Sequence, residues 1–203
     1  MKTRIILIII LLLNLSSCKS YKVVVIGDNY LLSLVDNASS SFMFNKLTSQ
    51  KLYYLLDKNA SSLIDSSNIN DELKKSKKVI LSIGIFDIFP CFDFSNEEIT
   101  INNNQINNKL ELLDYYIYHS FSLIDERISK KATVYVLEQI NPLISDFTNI
   151  NMFEEYIYKV NTILLSYCND YGFIFVNLDE CESYLIDDFV FNTKYKDVLN
   201  DKF

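Results

Sequence analysis

Short unbroken apolar runs alternate along this chain with longer stretches in which apolar positions recur every three or four residues. Val23-Val24-Val25-Ile26 are four consecutive β-branched residues ahead of Gly27, which reads as a strand over 22–27 buried on both faces. Val79-Ile80-Leu81-Ser82-Ile83 ahead of Gly84 repeats that pattern. Residues 51–56, 133–137 and 173–176 are three more apolar runs of strand length. Between them, Ile106, Leu110, Leu113, Ile117, Phe121, Ile124 and Ile128 predict an amphipathic helix over 106–130. Phe153, Tyr156, Ile157, Val160, Ile163 and Leu164 predict another over 151–169, stopped by Gly172.

Weaker signals fill the rest. A helix starts near Asn59-Ala60-Ser61-Ser62 and runs toward Lys75, with Ser66-Ser67-Asn68 weakening its middle. Residues 30–48 suggest a broken helix. Ile85 to Phe94, with Pro90, reads as an aromatic-rich loop, and Asn102 to Asn108 as a polar surface loop. A mixed polar segment and a short terminal helix follow the last strand. Strands separated by helices of crossover length predict a three-layer α/β/α fold with a parallel sheet of about five strands.

The first residues stand apart from this plan. Lys2 and Arg4 precede an apolar run from Ile5 to Leu13, too short to span a bilayer as a helix but right for a signal-peptide core. Leu15-Ser16-Ser17-Cys18 then resembles a bacterial lipobox, which implies cleavage after residue 17 and acylation of Cys18. The expected organisation is a signal peptide over 1–17 and one domain over 18–203. The implied place is the bacterial cell envelope, with the membrane as a partner through Cys18. Lys19, Ser20 and Tyr21 leave a tether of at most ~14 Å between Cys18 and the first strand.

Composition narrows the function. Hydrophobic residues make up 49% of the 203, so a substantial core is available. The net charge of −7 argues against a nucleic-acid partner, which would need basic surface. Past Cys18 three cysteines remain, Cys91, Cys168 and Cys181. Their odd number fits no disulfide framework and their spacing no zinc motif. A Cys91–Cys181 pair at one sheet edge is conceivable, but buried free thiols are the expectation, with no metal and no cofactor.

Ligands of parallel α/β sheets bind at the carboxyl ends of the strands. The loops there hold Gly27-Asp28-Asn29, Asn59-Ala60-Ser61, Gly84-Ile85-Phe86-Asp87 and Asp188-Phe189-Val190-Phe191. In order and placement these resemble the motifs of the SGNH (GDSL-type) hydrolases, whose fold is flavodoxin-like. The resemblance implies Gly-Asp-Ser, an oxyanion glycine, Gly-x-Asn-Asp and Asp-x-x-His. Here Asn29 replaces the nucleophilic serine, Ala60 the glycine, Phe86 the oxyanion asparagine and Phe191 the histidine base. Asparagine has no hydroxyl to deprotonate, phenylalanine carries no proton and offers no donor, and the Ala60 N–H alone could still serve an oxyanion.

Three readings follow. The first is a lipid-anchored hydrolase-like protein that binds without catalysis, with Asp28, Asn29, Phe86, Asp87 and Phe191 lining a site for a small molecule or glycan. Phe86, Phe89, Phe92 and Phe191 either wall that pocket or simply fill the core. The second is an esterase or acyltransferase with a relocated catalytic set. The single histidine, His119, lies about 200° around its helix from the core stripe, and neither Ser33 nor Cys181 has an evident histidine partner. The third, an unrelated flavodoxin-like domain, lacks a phosphate loop after the first strand.

Overall fold

The computed structural model describes residues 23–27, 59–63, 69–95, 97–143, 147–178 and 202, and the backbone of 52–55, 185–187 and 190–191. In chain order the elements are β1 (Val23–Gly27), β2 (Leu52–Leu55), α1 (Ala60–Leu63), α2 (Asn70–Lys75), β3 (Lys78–Ser82) and α3 (Ile85–Ile88). A 3₁₀ turn (Phe89–Cys91) leads to β4 (Phe92–Asp93) and β5 (Thr100–Ile101). Then come α4 (Asn103–Arg127), β6 (Thr133–Leu137), α5 (Ile150–Tyr171), β7 (Ile174–Val176), β8 (Leu185–Asp187) and β9 (Val190–Phe191).

Five strands form one sheet in the order β2-β1-β3-β6-β7, every pair parallel. These are the five runs the apolar pattern predicts, and the α/β fold with a parallel sheet stands as expected. The connections β2→β3, β3→β6 and β6→β7 all step in one direction, so right-handed crossovers put their helices on one face. There Val24, Ile26, Val79, Leu81, Val134 and Val136 share a core with Leu113, Ile117, Phe121, Phe153 and Val160. Alternation turns Val23, Val25 and Ile80 to the opposite face, and they too are fully buried. The oppositely directed connection, residues 28–51, lies outside the described residues and with it the predicted 30–48 helix.

Two local expectations are corrected. The Asn/Gln tract is not a loop: Asn103 to Asn108 form the first turns of α4. The Asn102 side chain accepts from the Gln105 N–H at 3.2 Å and caps the helix, so a polar run with Ile106 as its one buried apolar residue starts it. The aromatic loop after β3 is ordered as α3, the 3₁₀ turn and β4, the last paired antiparallel with β5. Near the C-terminus, β8 and β9 form a small antiparallel pair.

Gly172 ends α5 in the left-handed conformation at φ 69°. Gly84 leaves β3 at φ 124°, and a Cβ there would lie 2.8 Å from Cγ1 of Val160. Both its backbone angle and the approach of α5 therefore require glycine. Gly84→Ala should lower stability by about 1–3 kcal/mol, read as a fall in the urea midpoint.

Candidate functional site

From β1 the chain crosses to β2 on one side, while β3 lies on the other, so the sheet reverses direction at β1. The crevice of such a fold opens at the carboxyl ends of the strands flanking that reversal. Gly27 and Ser82 face each other in register there. Beyond β3, Gly84 turns the chain into α3, which brings Asp87 over the edge.

Asp87 is 8% exposed and makes the principal polar contact of this edge. Its Oδ2 accepts from the Ala60 N–H at 2.8 Å and its Oδ1 from the Ser61 N–H at 3.1 Å. Ala60 is also held from behind, where the buried Ser120 hydroxyl donates to its carbonyl at 3.1 Å. Asn59 caps α1, accepting from the Ser62 N–H at 2.9 Å and the Ser61 hydroxyl at 3.0 Å. Burial pushes the Asp87 carboxyl above its ordinary value of 3.8 and outweighs the opposing Ala60 and Ser61 hydrogen bonds and the Lys109 charge.

The structure thus joins two of the residues singled out by sequence, Ala60 and Asp87, and changes what the first can do. The Ala60 N–H points to Asp87 and not to an open oxyanion position. Phe86 is half-buried and stacks on Phe89, with ring centroids 5.5 Å apart. Phe89 stacks on Phe94 at 4.7 Å, and Phe92 meets Phe153 edge-on at 4.9 Å. Phe92 is buried in the core and Phe86 and Phe89 pack against it, so these three rings add to the core. Asp28, Asn29 and Asp188 lie outside the described residues, as do Cys18, Ser33 and Cys181. Phe191 is placed by its backbone alone, in β9 opposite Leu185.

His119 is half-buried on α4 beside the rings of Tyr115 and Tyr118, at 4.2 and 5.1 Å. Cys91 and Cys168 are buried free thiols, and burial pushes Cys168 up to about 12. Among the described residues no group of three or more His, Cys, Asp or Glu could hold a metal ion, and no helix is long and apolar enough to cross a membrane.

A second polar feature of the same edge was not singled out from the sequence. Past β6, residues 138–141 and the amino-terminal half of α5 enclose a cleft of about 300 Å³. Its signal was the polar Glu138-Gln139 pair and Asn141 directly after a buried strand. Asn161 clamps the backbone of Gln139, accepting from its N–H at 2.8 Å and donating to its carbonyl at 2.7 Å. The Gln139 side chain donates to the Leu137 carbonyl at 3.1 Å and, more weakly, to the Ser82 hydroxyl at 3.4 Å, so the ends of β3 and β6 are linked.

No family model matches the chain and no curated protein matches it in sequence. Solved structures do match in fold. A lipase from a goat-rumen metagenome superposes with a TM-score of 0.64 at 12% identity, covering 90% of this chain and 95% of that one. Phospholipase A1 of Streptomyces albidoflavus gives 0.59 at 12% identity, covering 91% and 100%. A GDSL-like lipase of Bacteroides thetaiotaomicron gives 0.57 at 13% identity, covering 90% and 85%. The fold is that of the GDSL lipases and esterases.

Asp87→Ala should cost about 1–3 kcal/mol, because it leaves two largely buried amide donors without an acceptor. The raised native pKa fixes the pH dependence of wild type. Stability from this group is complete below pH 3.8 and is lost as pH rises through the native value. Asp87→Asn should flatten that part of the profile, measured as urea midpoints across the acid range.

Proposed function

We propose that this chain is a membrane-anchored protein that uses the GDSL hydrolase fold for binding and not for ester hydrolysis. The observation that carries this reading is the engagement of the Ala60 N–H by Asp87. With Phe86 in place of the asparagine donor, neither group expected to hold an oxyanion is free to do so. Asn29 and Phe191 stand where the resemblance implies nucleophile and base, so the chemical step lacks its attacking group and its proton acceptor as well. The degenerate edge, from Asp28 and Asn29 to Phe86, Asp87 and Phe191, then serves as a surface for a small-molecule or glycan ligand.

The anchor rests on the charged start, the Ile5–Leu13 run and the small residues before Cys18. The chain enters β1 at the amino edge of the sheet, and Asp87 lies over the carboxyl edge. A short tether at Cys18 would turn the first toward the bilayer and the second away from it, which favours a soluble or opposing-surface ligand over lipids of the same leaflet.

Purified protein should hydrolyse p-nitrophenyl acetate no faster than buffer, and Asn29→Ser should be equally inactive because no base would take the hydroxyl proton. Turnover by wild type that disappears when a serine or cysteine is replaced would overturn the reading. Cys18→Ser should move the protein from the membrane to the soluble fraction after signal cleavage.

A further inference from the structure

We propose that the amino edge of the sheet binds a membrane surface bearing anionic phospholipid headgroups. Basic residues gather at that edge on an otherwise acidic chain of net charge −7. Lys74-Lys75-Ser76-Lys77-Lys78 leads into β3, and Arg127-Ile128-Ser129-Lys130-Lys131 leads toward β6; neither tract holds an acid. The fold lays the two side by side. Lys78 pairs in register with Thr133, whose N–H donates to the Lys77 carbonyl at 2.9 Å. Lys74, Lys75, Lys77, Lys130 and Lys131 are exposed, and among the described residues none of the five makes an ion pair.

Helix ends explain only part of this cluster. Lys74, Lys75 and Arg127 sit in the last turns of α2 and α4, where the helix dipole favours cations. Lys77, Lys130 and Lys131 lie past those helices, and like charges brought together there repel one another unless an outside anion meets them. The acids nearest in sequence, Asp71, Glu72, Asp125 and Glu126, come earlier in the same two helices and so stand back from the rim. Asp170, in the last turn of α5, offsets one charge at most. Beside the lysines is an apolar surface. A cleft of about 500 Å³ is lined by Ile128, Lys130, Tyr171, Phe173 and Ile174, with Asp125 as its one acid, and Ile174 is 46% exposed. Basic groups next to apolar and aromatic side chains suit a headgroup layer, which offers phosphate beside acyl chain, better than they suit a soluble anion. β1 also enters the sheet at this edge, so an anchor ahead of Val23 would bring the lysines to the bilayer. The proposal rests on the anchored reading for that orientation alone.

The test adds the unacylated full chain to vesicles of phosphatidylcholine alone and of phosphatidylcholine mixed with phosphatidylglycerol. The neutral vesicles measure any apolar contribution of residues 1–17, so the ratio of the two affinities reads charge. The anionic vesicles should bind about a hundredfold more tightly, and high salt should remove the difference. Lys77→Gln/Lys131→Gln should cut that preference about tenfold or more, at roughly fivefold for each lysine held near an anionic surface. Lys109→Gln/Lys159→Gln removes the same charge elsewhere and should change it less than about twofold. The amines of Lys77 and Lys131 should resist acetylation on anionic vesicles while those of Lys109 and Lys159 stay reactive. Equal partitioning onto both vesicle types, an equal loss in the Lys109/Lys159 pair, or tighter retention by soluble polyphosphate than by anionic vesicles at equal phosphate would each overturn the proposal. Failure of the anchor is read separately, by the localisation of the Cys18→Ser protein, because the vesicle assay uses no acyl chain.

Discussion

One buried carboxylate holds the carboxyl edge of this molecule together. Asp87 comes from the turn after β3 and bonds to the first amides of α1, which follows β2. Those two strands are not neighbours, because β1 lies between them. The bridge therefore spans the end of β1, the point at which a hydrolase of this fold would present its nucleophile. Ser120 of α4 fastens the same peptide from behind. The interaction that orders this edge also occupies the Ala60 amide, the donor that the resemblance to the SGNH hydrolases implies for an oxyanion.

The aromatic rings work in the same sense. Phe89, Phe92, Phe94 and Phe153 contact one another in stacked and edge-on geometries and fix α3 and the 3₁₀ turn against α5. Phe86 joins the end of that series through Phe89. Phe86, where the resemblance implies an asparagine, is spent on packing. A catalytic edge has to leave dipoles unpaired and aimed at substrate, whereas at this edge Ala60 and Phe86 are both engaged in structural contacts.

The sheet was legible in the sequence because a strand buried on both faces must be apolar along its buried length, as Val23–Ile26 of β1 and Val79–Leu81 of β3 are. The cores of α4 and α5 were legible for the same reason, through their three- and four-residue spacings. The start of α4 was not, since Asn102 to Asn108 carry almost no apolar periodicity and the helix there depends on one side-chain cap. The turn after β3 was misread because a helix of four residues is too short to show a period. Asp87 and Ala60 could be nominated separately from motif order. Their bond, across 27 residues of sequence and an intervening strand, could be seen only once the topology was known. The polar cleft after β6 escaped for want of any motif.

The interior place of β1 has a mechanical consequence. It is hydrogen-bonded along its length to β2 on one side and β3 on the other, both parallel to it. A pull on the chain ahead of Val23, along the strand axis, loads both ladders in shear, with all rungs resisting together. An edge strand pulled sideways would instead unzip one rung at a time. Tension applied through residues just before β1 would thus enter the sheet by an interior strand and be shared between two ladders.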